Sequence, residues 1–343
     1  MRGMGDTAAY LRRGIREIIC LALFYFTYLA GEYLFDVRVA EFVPPSEVVV
    51  YESFIVGASA IGFLVRPLLC YRRSRAIDTT SDIAGVLLAS ALLLLMMAAQ
   101  FEMLIAGGLL TFCTLGYCGS TAHANFARRF ARTPYLARVL ALSYALGVLL
   151  QVLNHMVMPA GIPQQFVLVA CAVAQVVLLH NVRRAKLHGE PEVGRESDIA
   201  ELSVDASEFG AKWQDDSEST AAFRRAVVRL TVATACLTGV FAALNAGLTT
   251  SHAAGAIDLG DWPRLLMAAS ALAAGALFDL HGRSYMNITM TCTAMLSTLS
   301  FFVLLVDGNG GNVLAAMAIF YLGSGFFVVF FTTKFGSSGV CVG

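Results

Sequence analysis

Polar side chains that could do chemistry are scarce in this chain, and most of them lie near the ends of long apolar segments. Five fall toward the same end of their predicted helices: Glu32, Glu52, Asn154, His155 and Asn245. Ionisable groups are costly to place in hydrocarbon, so they are candidates for a functional site by default. A carboxylate near a histidine can exchange a proton near neutral pH. We therefore predict an outer polar cavity lined by these five residues.

A simpler interpretation of these residues stays open, because polar groups close to the end of a membrane helix often only reach interfacial water. Enzymatic chemistry has no support in the sequence. The chain contains no G-x-S-x-G, H-E-x-x-H or Walker sequence, so we predict no catalytic residues. Its eight cysteines form no C-x-x-C pair, and neither a metal site nor a cofactor is expected.

The composition explains why polar groups are scarce. Of the 343 residues, 57% are hydrophobic and 14% charged, and the mean hydropathy is +0.69. An ordinary soluble domain is about a quarter charged. The apolar residues come in blocks of about 20, the length that a helix needs to cross a bilayer. We expect an all-α polytopic membrane protein whose first partner is the lipid bilayer. The ten predicted spans are 18–35, 48–65, 83–99, 103–121, 136–157, 165–180, 227–248, 265–280, 286–306 and 312–332.

The positive charges predict the orientation of these spans. With the N-terminus inside, all but two of the 24 Lys and Arg residues fall in cytoplasmic segments, and the exceptions are Arg38 and Arg264. Positive residues accumulate on the cytoplasmic side of membrane proteins. We therefore place the N-terminus and the central linker in the cytoplasm.

An acidic segment divides the chain into two parts. Between residues 187 and 222 there are ten acidic and two basic residues. This stretch is too polar to cross a membrane and too poor in large apolar side chains to form a domain. We predict a six-span bundle at 1–182, an acidic cytoplasmic linker at 183–225, and a second bundle of four spans at 226–343.

The stretch 275-GALFDLHGR-283 lies at the cytoplasmic end of the eighth predicted span. It resembles the loop signature of the major facilitator superfamily, G-x-L-x-D-x-x-G-R, and the matching residues are Gly275, Leu277, Asp279, Gly282 and Arg283. The resemblance implies that the aspartate helps to join two helical bundles on the cytoplasmic side, by hydrogen bonding at a helix end and by pairing with an arginine. We expect Asp279 and Arg283 to do so here.

A weaker copy of the signature, 62-GFLVRPLLCYRR-73, follows the second predicted span, and it has Arg66 where the family has its aspartate. Two pseudo-repeated bundles around a cytoplasmic linker are the layout of the major facilitator fold. That fold has twelve spans, so we expect either a truncated chain or a ten-span variant. Because the second bundle would expose faces of small residues, we expect marginal stability or a homo-oligomer.

Three further stretches are similar to the membrane half of large bacterial regulators that end in a LuxR-type helix-turn-helix domain: 31-GEYLFDVRVAEF-42, 57-GASAIGFLVRP-67 and 321-YLGSGFFVVFFTT-333. This similarity implies a bacterial inner-membrane protein that senses an unknown small-molecule ligand. No basic recognition helix follows the last span, so this chain itself is not expected to bind nucleic acid. The competing hypotheses are a secondary transporter that works by alternating access and a degenerate, inactive fragment.

Overall fold

The residues that the structure describes form helices joined by short connections, with no strand among them. A computed structural model describes residues 14–72, 76–131, 133–158, 161–187, 239–255, 262–280, 285–306 and 313–337, together with 228, 232 and 236. The helices are α1 (Ile15–Val39), α2 (Pro45–Arg72), α3 (Ala76–Met97), α4 (Phe101–Phe130), α5 (Leu136–Val157), α6 (Ile162–Leu187), α7 (239–253), α8 (Leu265–Phe278), α9 (Met286–Val306) and α10 (Val313–Ser337). A short 3-10 helix, Trp262–Arg264, precedes α8.

Within the described residues, six helices are long and apolar enough to cross a membrane, namely α1, α2, α4, α5, α6 and α10. The apolar helices Ile83–Met97 and Leu265–Phe278 are shorter. A helix satisfies its own backbone hydrogen bonds, which is why apolar sequence of this length folds as helix in lipid. The prediction of an all-α, multi-pass membrane protein is therefore confirmed.

Several helices extend beyond the predicted spans. The α4 helix continues to Phe130, nine residues past the predicted end at 121. The predicted loop at 62–73 lies within α2 as far as Arg72, and Pro67 does not end that helix. Leu64 and Leu68 are exposed on its surface, which suits a helix that continues in contact with lipid.

Two opposite ends of the bundle are used below as points of reference. We call the end at which α1 finishes and α2 begins the Glu52 end. We call the end at which α8 finishes and α5 begins the Asp279 end. Pro45 is the first residue of α2, a position that suits proline because a helix leaves its first N–H groups without intrahelical partners.

The α1 helix lies at the centre of the first half. In its most apolar 18-residue stretch 72% of the residues are buried, against 22% for α6, which faces outward. Its neighbours in the first half are α2, α4, α5 and α6. Phe26 and Phe35 of α1 are fully buried in two separate apolar clusters. This central position lets α1 present side chains to several helices at once.

The two halves meet mainly along α5 and α8. Further contacts between the halves connect α10 with α4 and α5. Within the second half, α8 packs on α10, and Gly325 lets the two backbones approach closely because an added Cβ would lie 2.6 Å from the Met267 carbonyl oxygen. The contact between α5 and α8 sets the relative position of the two halves, and two of the polar sites described next lie along the boundary between them.

Candidate functional site

A group of charged side chains lies between the two halves near the Glu52 end. We define it as the charged cluster: Glu32, Asp36, Glu52 and Arg264. Glu32 and Asp36 are one turn apart on α1, and Glu52 lies two turns inside α2. Asp36 and Glu52 are buried, each with 4% of its surface exposed.

A hydrogen bond connects this cluster across the boundary between the halves. The Asn245 side-chain amide of α7 donates to Oε1 of Glu52. The carboxyl groups of Glu32 and Glu52 also lie close to each other. The structure thus brings together three of the five predicted residues, Glu32, Glu52 and Asn245.

Arg264, at the start of α8, completes the cluster and was not predicted as a site residue. It is buried, with 6% of its surface exposed, and its guanidinium hydrogen-bonds to Tyr321 of α10. Its Nε and Nη1 groups have no acceptor among the described residues. Oδ1 of Asp36 is likewise without a donor there. A buried cation with unused donors beside buried carboxyl groups is an unusual and expensive arrangement.

A different contact joins the halves at the Asp279 end. Asp279 follows the last residue of α8, and its carboxylate accepts hydrogen bonds from two backbone N–H groups in the first turn of α5. The distances are 3.2 Å from Ala137 N to Oδ1 and 2.8 Å from Arg138 N to Oδ2. Nε of Arg138 lies 4.0 Å from Oδ2. We call this arrangement the Asp279 contact.

The Asp279 contact satisfies both partners. The first N–H groups of a helix have no intrahelical acceptor, and the helix dipole favours a negative charge beside them. The Asp279 side chain is almost fully buried, with 1% exposed, yet both of its oxygens are bonded. Asp279 thus bonds at the N-terminal end of a helix of the other half. Gly282 and Arg283 lie outside the described residues.

Gly275 explains how α8 comes close enough to α5 for this contact. A Cβ atom at position 275 would lie 2.5 Å from Cβ of Ala141 and 2.9 Å from the Ala137 carbonyl oxygen. These distances are too short for any side chain, so the position requires glycine unless the helices separate. Leu277, the other described residue of the predicted signature, is exposed on the outside of α8.

A third polar link lies in the interior, between the charged cluster and the Asp279 contact. Nδ1 of His123 lies 2.8 Å from the Gly119 carbonyl oxygen and therefore carries the hydrogen. Nε2 is then an acceptor, and the Tyr25 hydroxyl donates to it at 3.0 Å. This link joins α1 to α4 within the first half.

The other two predicted cavity residues, Asn154 and His155, lie in a separate pocket on the far side of α1. That pocket is formed by α1, α5 and α6 and lies within the first half. The one predicted cavity thus corresponds to two sites that share α1 as a wall. Glu32 and Tyr33 are neighbours in sequence, about 100° apart around the helix, and each contributes to a different site.

These features define the chain as a helical, multi-pass membrane protein with buried polar contacts between two halves. Its apolar helices indicate contact with a lipid bilayer. Within the described part of the chain, no group of three or more His, Cys, Asp or Glu side chains is placed to hold a metal ion. No protein-family profile matches the chain, and no curated protein is significantly similar to it.

Proposed function

We propose that this protein binds a small carboxylate-bearing solute at the charged cluster and responds by shifting its two halves against each other. The observation that carries the proposal is the buried Arg264, whose Nε and Nη1 donors are unused among the described residues. A guanidinium binds carboxylates well because its planar donors match their oxygens. The unused Oδ1 of Asp36 would accept a hydrogen bond from an amine or hydroxyl on the same solute.

The proposed role is that of a sensing membrane domain, in keeping with the resemblance to LuxR-type bacterial regulators with a facilitator-like bundle. In this view the Asp279 end is cytoplasmic, as the distribution of Lys and Arg favours. The charged cluster then lies in the outer half of the membrane. A ligand that prefers one arrangement of the halves shifts the population toward it, and the Asp279 contact reports the change on the cytoplasmic side.

A secondary transporter is the second candidate, and one observation favours it. The halves are joined through a fully bonded contact at the Asp279 end, whereas the Glu52 end holds polar groups that are only partly bonded. This difference between the ends is what a bundle open to one side would have. In that function the halves would rock so that the charged cluster meets each side in turn.

Distances between the halves test the shared part of both proposals. We suggest spin labels on exposed positions of a cysteine-free protein in nanodiscs, with one pair at Ser46 and Ala254 and another at Arg129 and Leu280. The probes are glycine, succinate and choline. We expect glycine or succinate to change the Ser46–Ala254 distance by several ångströms, and Arg264→Gln to abolish the change. If none of the three probes moves either distance, the proposed function is wrong.

Flux through proteoliposomes separates the sensor from the transporter. Using whichever probe moves the labels, saturable uptake that Arg264→Gln removes would establish transport and exclude a pure sensor. Movement of the labels without uptake would support the sensor. Leu64→Ala, on the exposed face of α2, is a suitable control because it lies away from the charged cluster.

A further inference from the structure

A cavity of about 240 Å³ lies within the first half, between α1, α5 and α6 at the Glu52 end. It is the pocket that contains Asn154 and His155, and α1 separates it from the charged cluster. Since a water molecule takes up about 30 Å³ in the liquid, the cavity has room for a solute roughly the size of eight waters. Its polar lining is dominated by side-chain amides: Gln151, Asn154, Gln164 and Gln165. We call it the amide pocket.

Two of these amides have a side-chain oxygen that is available to a ligand. Nδ2 of Asn154 donates to the Gln164 carbonyl oxygen at 3.4 Å, and Nε2 of Gln164 donates to the Met158 carbonyl oxygen at 3.2 Å. Oδ1 of Asn154 and Oε1 of Gln151 have no donor among the described residues. Gln151 has only 2% of its surface exposed, so bulk water does not satisfy it. A ligand with O–H or N–H groups would complete both.

The positive and negative side chains that line the amide pocket neutralise each other. Arg38 and Glu41 are the Arg, Lys, Asp and Glu residues of its lining, and they form an ion pair of 2.8 Å. Nη2 of Arg38 also donates to the Ala98 carbonyl oxygen at 2.6 Å, which holds the guanidinium at the rim. A ligand therefore meets no unpaired charge of this kind, in contrast to Arg264 in the charged cluster. The pocket favours an uncharged solute.

Aromatic and aliphatic side chains in the lining of the amide pocket indicate which kind of uncharged solute fits it. The Tyr33 ring lines the pocket and packs edge-on against the His155 ring, with 5.2 Å between centroids. Leu34 and Leu168 add apolar surface. Sugars and polyols combine C–H surface, which packs on rings and aliphatic groups, with hydroxyl groups that donate to amide oxygens. Small ammonium ions have the donors but would be drawn to the carboxylates of the charged cluster instead.

We propose that the amide pocket binds an uncharged polyhydroxyl group, with hydroxyls donating to Gln151 and Asn154. The source of the group is either a free polyol or the sugar headgroup of a glycolipid, since both present the same hydroxyls. This proposal does not rest on the function proposed for the charged cluster, because the two sites lie on opposite sides of α1.

Binding of ribitol to the protein in phosphatidylcholine nanodiscs tests the proposal, with saturation-transfer NMR giving the Kd. We avoid maltoside detergents because their headgroups would compete. We expect saturable ribitol binding that Gln151→Leu weakens by about tenfold, since one hydrogen bond is lost and apolar surface replaces it. Gln175→Leu is the matched control. Gln175 is also a buried glutamine with unpartnered amide atoms, but it does not line the pocket, so we expect a change below about twofold.

Further measurements distinguish a free polyol from a glycolipid headgroup and define the results that would overturn the proposal. Displacement of ribitol by galactosyl diacylglycerol in the nanodisc identifies the lipid headgroup as the source, whereas no displacement identifies the free polyol. If Gln151→Leu does not fold, Asn154→Leu gives the same reading. Absence of saturable binding by both ribitol and the glycolipid would overturn the proposal. Equal binding by Gln151→Leu and the unmodified protein, or tighter binding of choline or succinate than of ribitol at this pocket, would overturn it as well.

Discussion

The two ends of the boundary between the halves differ in how fully their buried carboxyl groups are hydrogen-bonded. At the Asp279 contact a single carboxylate meets two N–H groups at a helix end, and both of its oxygens are bonded. In the charged cluster three carboxyl groups interact electrostatically with one guanidinium without a direct ion pair among the described residues, and several donors and acceptors are unused. The first arrangement holds the halves together. The second has polar groups left over for a ligand, and this is what we take as the mark of a binding site.

The energetic reason for the difference is desolvation. Removing a charge from water costs several kcal/mol, and attraction to a partner offsets that cost only when the geometry also satisfies the remaining hydrogen-bonding groups. Asp279 meets this condition through fixed backbone donors. Arg264 does not meet it through the described residues, because its Nε and Nη1 groups have no acceptor there. The following predictions test whether the two regions differ in this way.

Gly275→Ala should have the largest effect on stability. The new Cβ would overlap Ala141 and the α5 backbone, so α5 and α8 must separate, and the Asp279 contact would lengthen. We expect a loss of about 1–3 kcal/mol in the free energy of unfolding. Titration with SDS in mixed micelles measures it. Gly57→Ala is the matched control, since a Cβ there meets nothing within 4 Å. A loss of similar size at Gly57 would show that helix flexibility, not the close approach, is responsible.

Asp279→Ala should come next. It removes both hydrogen bonds to the start of α5 and the favourable charge beside that helix dipole, and we expect a loss of about 1–2 kcal/mol. Asp279→Asn keeps one acceptor oxygen and should lose about half as much. The same SDS titration measures both variants.

The relative stabilities of the Asp279→Ala and Asp279→Asn variants separate the contribution of the charge from that of the hydrogen bonds. An Asn variant as unstable as the Ala variant would mean that the negative charge is essential, whereas an Asn variant equal to the unmodified protein would show that hydrogen bonding by one oxygen is enough. Glu41→Gln is the control, because Glu41 is half-exposed and its ion pair among the described residues is with Arg38. We expect it to change stability by less than about 1 kcal/mol.

Tyr25→Phe should have a smaller effect. It removes the hydroxyl that bonds His123 in the interior, and hydrogen bonds between membrane helices contribute about 0.6 kcal/mol on average. Tyr51→Phe is a control with a ring that packs on Phe54 and Phe101 near the Glu52 end. If Tyr25→Phe lost as much stability as Asp279→Ala, the bond between α1 and α4 would contribute as much to stability as the Asp279 contact between the halves.

Much of the fold could be predicted because, in lipid, every membrane-spanning segment must satisfy its own backbone hydrogen bonds. Apolar stretches of fixed length must be helical in lipid, so the positions of α1, α5 and α8 follow from hydropathy. The ends of the helices do not follow from it. Hydropathy predicts where a helix leaves the hydrocarbon core of the bilayer. The α4 helix continues past that point and includes Arg128 and Arg129.

The candidate site could be predicted only in part, because a sequence does not give the rotation of a helix about its own axis. Asn154 and Asn245 are both amides near the Glu52 end, yet one faces the amide pocket and the other faces Glu52. Arg264 was assigned to an outer loop by charge counting, and its burial depends on the packing of α8 against α10. The signal available in the sequence was that Arg264 departs from the distribution of the other positive residues.

Glu52→Gln should have the smallest effect on stability and separates the two regions most sharply. Glutamine keeps an oxygen that accepts from Asn245, while it removes a negative charge beside Glu32 and Asp36. The relief of repulsion opposes the lost attraction to Arg264, so we expect stability to stay within about 1 kcal/mol or to rise. Asp279→Asn is the matched acid-to-amide change at the other region, and it should destabilise. A Glu52→Gln protein as unstable as Asp279→Asn would mean that the charged cluster also serves to hold the halves together, and its unused groups would then no longer support a ligand site.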